Sequence, residues 1–155
     1  MICVNSENLK IFDLLGFLAC VSILILITGS FSLLLAPPYA VTLYLIIYDS
    51  RGKYSSPLAI TISYLFVLVT TEILHVSLGI SEFSLILNVI AVSLFISLSR
   101  YSHPPALALT IFSYIEHNTF LFIVTSLLAL LLILAMAYIM RKLKNIMNES
   151  QNSPN

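Results

Sequence analysis

Charged residues are scarce in this sequence. Asp, Glu, Lys and Arg make up only 9% of the 155 residues, whereas 59% are hydrophobic and the mean hydropathy is +1.04. So little polar surface excludes a soluble core of this size and leaves no segment for a separate soluble domain. The formal net charge is zero, which gives no electrostatic reason to expect nucleic acid as a partner. The composition predicts an integral membrane protein whose partner is the lipid bilayer.

Residues with catalytic or metal-binding chemistry are scarce as well. The two cysteines, Cys3 and Cys20, lie one in the N-terminal tail and one inside an apolar run, so no disulfide framework is expected. The three histidines are dispersed, and no Cys–His spacing fits zinc. No nucleophile motif or phosphate-binding loop occurs. The sequence therefore predicts a protein that is not an enzyme and holds neither metal nor cofactor.

Long apolar segments are abundant in the sequence. Four segments approach the roughly 20 residues that a helix needs to cross the hydrocarbon, and they cover 13–35, 57–79, 83–100 and 118–140. Lipid offers no partner for backbone polar groups, and the segments lack the alternation of a barrel strand, so helices are predicted. The first segment is longer than the core of a signal peptide and is interpreted as a retained helix.

Two shorter apolar segments, 37–48 and 104–115, each begin with a pair of prolines. At about 1.5 Å per residue, each yields roughly 18 Å of helix, about half of a crossing. Proline suits the first turn of a helix but not its interior, so both helices should begin at these pairs. The preceding residues, Ala36 and His103, should be extended. The sequence predicts two half-helices.

The order long, half, long occurs twice, which indicates an internal duplication. Pro37 and Pro104 are 67 positions apart, and Thr42 and Thr110 lie about one turn into each half-helix. The predicted organisation is an N-terminal tail (1–12), a first repeat (13–79), a second repeat (80–140) and a polar tail (141–155). The fold class is an all-α integral membrane protein with four long transmembrane helices and two half-helices.

The number of passes depends on whether the half-helices dip and return or complete a crossing. Dipping gives four spans. Crossing gives six passes and inverted repeats, and it places every basic residue on one face: Lys10, Arg51, Lys53, Arg100, Arg141, Lys142 and Lys144. The positive-inside rule favours six passes with both termini cytoplasmic. Seven charges are few and dipping pairs are common, so four spans stay open as the alternative.

The stretch Ser99-Arg100-Tyr101-Ser102-His103-Pro104-Pro105-Ala106 ends one span and opens a half-helix. It resembles the signature of the HPP family of integral membrane proteins, which is named for the tripeptide. The similarity runs from about Ala36 to Lys144, because the earlier proline pair, a polar loop and Ser56-Pro57 follow the family's order of elements. The resemblance implies a small four-span protein and nitrite transport, which is proposed for some members. Glycines usual after the family's proline motifs are missing here.

The half-helix starts are the first candidate site. A helix N-terminus in a place of low dielectric presents unpaired amides and a partial positive charge, which suits a small anion. His103 is placed to donate to an anion or to take up a proton. The structural alternatives are that the proline pairs serve only to break helices and that His103 caps a helix. The predicted substrate-binding residues are Pro37, Pro38, Tyr39, Thr42, His103, Pro104, Pro105 and Thr110.

Glu72 and His75 form a second candidate pair. They lie one turn apart and share a face of the second long helix. A charge within a span is costly, so the pair is a candidate proton relay or gating element. The alternative places the pair near the membrane interface with the carboxylate reaching towards water.

These features predict a transporter or channel for a small solute, with a nitrite-like inorganic anion as first candidate. A membrane scaffold that transports nothing is the alternative. Exposing half-helices to lipid is unfavourable in so small a chain. We therefore expect a homo-oligomer in the cell membrane.

Overall fold

The computed structural model describes residues 6–28, 36–49, 52–116 and 118–152, and these are almost entirely helical. Six helices occur in the order α1 (Ser6–Thr28), α2 (Ala36–Tyr48), α3 (Pro57–Leu78), α4 (Glu82–Leu98), α5 (Pro105–Ile115) and α6 (Thr119–Asn152). A short 3₁₀ turn, Lys53–Ser55, links α2 to α3. Within the described residues, three helices are long and apolar enough to cross a membrane: α1 over Lys10–Ile27, α3, and α6 over Thr119–Ile146.

The half-helices occur where the prolines indicate them, with 13 residues in α2 and 11 in α5. α2 begins at Ala36, one residue before the predicted start, whereas His103 is non-helical as expected. α1 begins at Ser6, inside the segment assigned to the tail. The last part of the first predicted long segment, 29–35, falls outside the described residues. The polar tail is a helical continuation of α6 as far as Asn152.

α4 is shorter than the predicted span over 83–100. It has 17 residues and belongs with the shorter apolar helices. Its start follows Ser81, whose side chain caps the helix by accepting from the Ser84 amide at 3.2 Å. Its end at Leu98 precedes residues that approach the second proline pair without helical structure. By length, therefore, three of the helices in the described ranges meet the requirement for a crossing.

One end of the bundle, the basic end, gathers the start of α1, the end of α2 and the last turns of α6. Lys144 Nζ lies 2.8 Å from Asp13 Oδ1 and donates to the Ile47 carbonyl at 2.9 Å. Arg141 donates to the Ser55 carbonyl at 3.3 Å. Among the described basic residues, Arg141 and Lys144 thus bind backbone carbonyls next to the α2–α3 loop. Arg51 falls outside the described residues.

The opposite end, the far end, joins the end of α3 and of α5 to the starts of α4 and α6. The His75 ring lies 3.3 Å from the Thr119 hydroxyl through Nδ1. Ser84 Oγ and Tyr114 OH are 2.8 Å apart. Gly79 ends α3 with a φ of +71°, a left-handed conformation that glycine adopts without strain. Together the two ends show that successive helices run in opposite directions.

The ion pair at the basic end gives a stability prediction. Lys144→Met should lower the free energy of unfolding by about 1–3 kcal/mol, because it removes a charged donor and leaves the Asp13 carboxylate unpaired. The Asp13 and Lys144 side chains are only 14% and 20% exposed. Lys142→Met is the matched control on an exposed neighbouring position and should change stability by less than about 0.5 kcal/mol. SDS-induced unfolding in mixed micelles measures both, and equal losses would refute the assigned role of Lys144.

Candidate functional site

The two half-helices begin inside the bundle, beside the first half of α3. Tyr64 on α3 donates to the Pro38 carbonyl at 3.3 Å, and its ring lies 5.4 Å from the His103 ring, edge to face. From this point α2 runs to the basic end, where Ile47 contacts Lys144. α5 runs the other way, to the far end at Tyr114. The half-helix starts therefore meet in the interior and the helices diverge from there.

A buried polar group, which we call the junction cluster, surrounds this meeting point. Tyr39 OH donates to Ser126 Oγ on α6 at 2.8 Å. Thr42 Oγ1 lies 2.5 Å from Tyr64 OH and 2.9 Å from His103 Nε2. All five side chains are at most 1% exposed. The cluster consists of Tyr39, Thr42, Tyr64, His103 and Ser126.

The hydrogen bonds determine the tautomer of His103. Its Nδ1 lies 2.7 Å from the Tyr54 carbonyl, and a carbonyl oxygen only accepts, so Nδ1 carries a proton. In the neutral ring, Nε2 can then only accept, and the single Thr42 proton is directed either to Nε2 or to the Pro38 carbonyl, each 2.9 Å from Thr42 Oγ1. His103 lies in the connection between α4 and α5, outside the three long helices.

The backbone amides at the start of α5 are not free for a ligand. Pro104 and Pro105 carry no N–H group. The Ala106 amide donates to the His103 carbonyl at 3.0 Å, and the Leu107 amide donates to the Pro104 carbonyl at 3.0 Å. The predicted use of α5 amides for an anion therefore does not match the geometry, because the prolines and a tight first turn consume these donors.

The two proline pairs line one cavity of about 440 Å³ on the outer side of α2 and α5. Its walls are almost wholly apolar. Thr42 is not among its lining residues and bonds within the junction cluster instead. The lining residues are Pro37, Pro38, Val41, Leu45, Tyr54, Pro104, Pro105 and Ala108. The predicted site residues thus divide between this apolar cavity and the polar junction cluster.

Thr110, predicted as the counterpart of Thr42, lies elsewhere. Its hydroxyl donates to the Ala106 carbonyl at 3.1 Å, and its own carbonyl accepts from Ser113 at 2.7 Å. Ser113 lies 3.5 Å from Thr71, which accepts from Asn88 at 2.9 Å. Thr110 therefore belongs to a second polar seam between α3, α4 and α5.

Glu72 and His75 lie near the far end of this seam. The His75 ring packs edge-on against Tyr114 at 4.5 Å. His75 Nε2 and Glu72 Oε2 are buried atoms without a hydrogen-bond partner among the described residues. The pair is separate from the junction cluster, because Glu72 lies two turns along α3 from Tyr64.

No family model, curated protein or solved structure matches this chain. The site must therefore be interpreted from its own chemistry. Within the part of the chain that the structure describes, no group of three or more His, Cys, Asp or Glu is placed to hold a metal ion. Hydroxyls and one imidazole are the functional groups at the junction.

Sequence reasoning missed several residues of these polar groups. Tyr64 and Ser126 complete the junction cluster, and the Tyr54 carbonyl orients His103. Nothing in the local pattern of α3 or α6 distinguishes these positions. Asn88 did carry a signal, since an amide inside an apolar helix must find a buried partner. Its partner, Thr71, is on another helix and is visible only after folding.

Proposed function

We propose that this protein is a membrane transporter or channel for a small solute and that the solute passes through the junction cluster. A small inorganic anion, nitrite-like in size and charge, is the first candidate substrate. The resemblance to the HPP family supports this choice, and so does the repeated pattern of proline-started half-helices. Paired short or broken helices at matching places in two halves are characteristic of the binding site in secondary transporters.

The single observation that carries the proposal is the meeting of both half-helix starts at a buried polar cluster. Burying hydroxyls and an imidazole in a chain of this hydropathy is costly, even when they bond to one another. A fold that needed only helix packing would be served as well by apolar side chains. Functional use of the cluster explains why polar groups are buried where the two half-helices begin.

The number of passes and the orientation of the two repeats belong to the same proposal. The alternating helix directions and the gathering of Lys10, Lys53, Arg141 and Lys144 towards one end support six passes and inverted repeats. The positive-inside rule then puts both termini in the cytoplasm. Fluorescent-protein fusions, which fluoresce when cytoplasmic, at both termini test this. Fluorescence at one terminus alone would rule out an even number of passes.

A homo-oligomer is proposed to cover the half-helices. Their outward side chains remain exposed in the single chain, including Val41, Tyr44, Ile111 and Ile115. Native mass spectrometry in mild detergent gives the number of copies directly, and a uniform monomer would contradict this part of the proposal.

A membrane scaffold is the second candidate, and one specific observation favours it. The donors of the junction cluster are used within the protein, and the cavity beside the prolines is apolar. A scaffold needs neither a polar path nor a conformational change. The two candidates differ in whether anything crosses the bilayer.

Flux measurements distinguish the two functions. Purified protein in liposomes should pass at least one of nitrite, nitrate, formate and chloride in a saturable way, relative to liposomes without protein. His103→Ala should lower this flux by about tenfold or more, the factor given by a loss of about 1.4 kcal/mol. Ser77→Ala, at an exposed position on α3, is the control. Tight liposomes without flux for any anion would favour the scaffold.

A further inference from the structure

The interior of the bundle has no fixed positive charge with which to hold an anion. Among the described residues, Lys and Arg occur only in the loops or at the basic end, and none contacts the junction cluster. Arg100, the nearest in sequence, is exposed and lies over the Tyr101 ring at 5.7 Å. An uncompensated anion in such a place is strongly disfavoured.

His103 donates nothing to the cluster when its ring is neutral, because its one proton is on Nδ1 and bonds to the Tyr54 carbonyl. The Tyr39 proton points to Ser126, the Tyr64 proton to Thr42 or the Pro38 carbonyl, and the Thr42 proton to the Pro38 carbonyl or His103 Nε2. The first two amides of α5 after the prolines are paired with backbone carbonyls. A neutral cluster therefore offers an anion no charge and no proton from His103.

Protonating His103 changes both the charge of the cluster and its hydrogen bonds. Nε2 becomes a donor, so the Thr42 hydroxyl must turn away, and the Pro38 carbonyl at 2.9 Å is its alternative acceptor. Tyr64 can likewise turn from Thr42 to Pro38, at 3.3 Å. One added proton thus supplies a positive charge and one new donor, the Nε2–H group of His103, while Thr42 and Tyr64 have the Pro38 carbonyl as acceptor.

We infer, on the basis of the proposed function, that the protein is an anion–proton symporter in which His103 takes up the proton that makes the anion site. One proton and one monovalent anion enter together and leave together, so the cycle moves no net charge. The empty cluster is neutral and the loaded cluster is neutral as well.

The surroundings of His103 agree with this coupling. The titratable side chain facing it is the phenol of Tyr64 from α3, and no described carboxylate bonds to it. α6 contributes Ser126 to the cluster and Arg141 to the Ser55 carbonyl, next to Tyr54. With no acidic partner in place, an anion is the group that stabilises the protonated ring.

The test uses the wild-type protein in liposomes with a potassium–valinomycin clamp and an independently set pH gradient. Nitrate and chloride are the probes, because their acids do not cross lipid in neutral form. Uptake should follow the pH gradient, acidify trapped pyranine with one proton per anion, and ignore the clamped potential. Uptake at a fixed anion concentration should fall as the pH rises, because fewer clusters then carry the proton.

Two variants assign the proton site. His103→Gln keeps a polar group towards Thr42 but cannot be protonated, so its remaining flux should no longer rise in acid. A pH profile flattened by His75→Gln instead would overturn the assignment. Flux that follows the potential and ignores pH would refute symport while leaving the transporter intact. No flux of any probe under any condition would refute both.

Discussion

Thr42→Val should abolish most of the transport activity and weaken the fold at the same time. The substitution keeps the shape of the side chain and removes the hydroxyl that joins Tyr64 to His103. His103 Nε2 then has no partner while remaining fully buried, which costs about 1–3 kcal/mol. Because the proton can no longer rearrange the cluster, flux in liposomes should fall by about tenfold or more.

Thr61→Val is the matched control for this substitution. Thr61 on α3 also donates to the carbonyl of a proline four residues earlier, Pro57, at 2.8 Å, but it makes no contact with His103 or Tyr64. Its loss should leave flux unchanged and cost less than about 1 kcal/mol. Unfolding in SDS and anion flux should be measured on both variants. Equal effects of the two substitutions would show that the junction cluster has no special role.

Tyr39→Ala should be among the most destabilising single substitutions in the chain. Tyr39 is fully buried, its hydroxyl bonds to Ser126, and its ring lies 6.0 Å from the Tyr64 ring. Truncation leaves a large cavity where the half-helix packs on α3 and α6, with an expected cost of about 3–5 kcal/mol. The free energy of unfolding in mixed micelles measures this loss.

Tyr44→Ala makes the same change on the same helix and serves as the control. Tyr44 is 50% exposed and packs on its outer side against Phe17 and Tyr48. Losing these ring contacts should cost no more than about 1.5 kcal/mol. Tyr39→Phe separates the two contributions to the buried site, because it removes only the hydroxyl. A Tyr39→Ala variant as stable as Tyr44→Ala would mean that the half-helix is not anchored as described.

Helix positions and the starts of the half-helices could be predicted because they depend on local chemistry. Apolar length in lipid requires helix, and a double proline cannot lie mid-helix, so α2 and α5 begin where the proline pairs are. The prediction of a span over 83–100 was less accurate than the prediction of the half-helix starts. α4 stops at Leu98, and residues 99–103 before the second proline pair are not helical, which hydropathy does not report.

The candidate site was predicted only in part, for a different physical reason. Thr42 and His103 belong to one cluster, as the pairing of the proline motifs suggested, but Thr110 does not. Thr42 lies five residues after Pro37 and Thr110 lies six residues after Pro104, so the two hydroxyls are offset by about 100° around their helices. The sequence also placed anion-binding amides at α5, whereas its first turn pairs them internally.

The sequence by itself determined that the chain is helical, suited to lipid, and interrupted twice by proline pairs, because these properties follow from hydropathy and from the missing proline N–H. Only the tertiary structure decided that Tyr64 and Ser126 complete the cluster and that the Tyr54 carbonyl orients His103. These contacts join residues far apart in the chain, and a hydrogen bond depends on distances that no local pattern encodes. The direction of each proton at the junction is a property of the folded bundle alone.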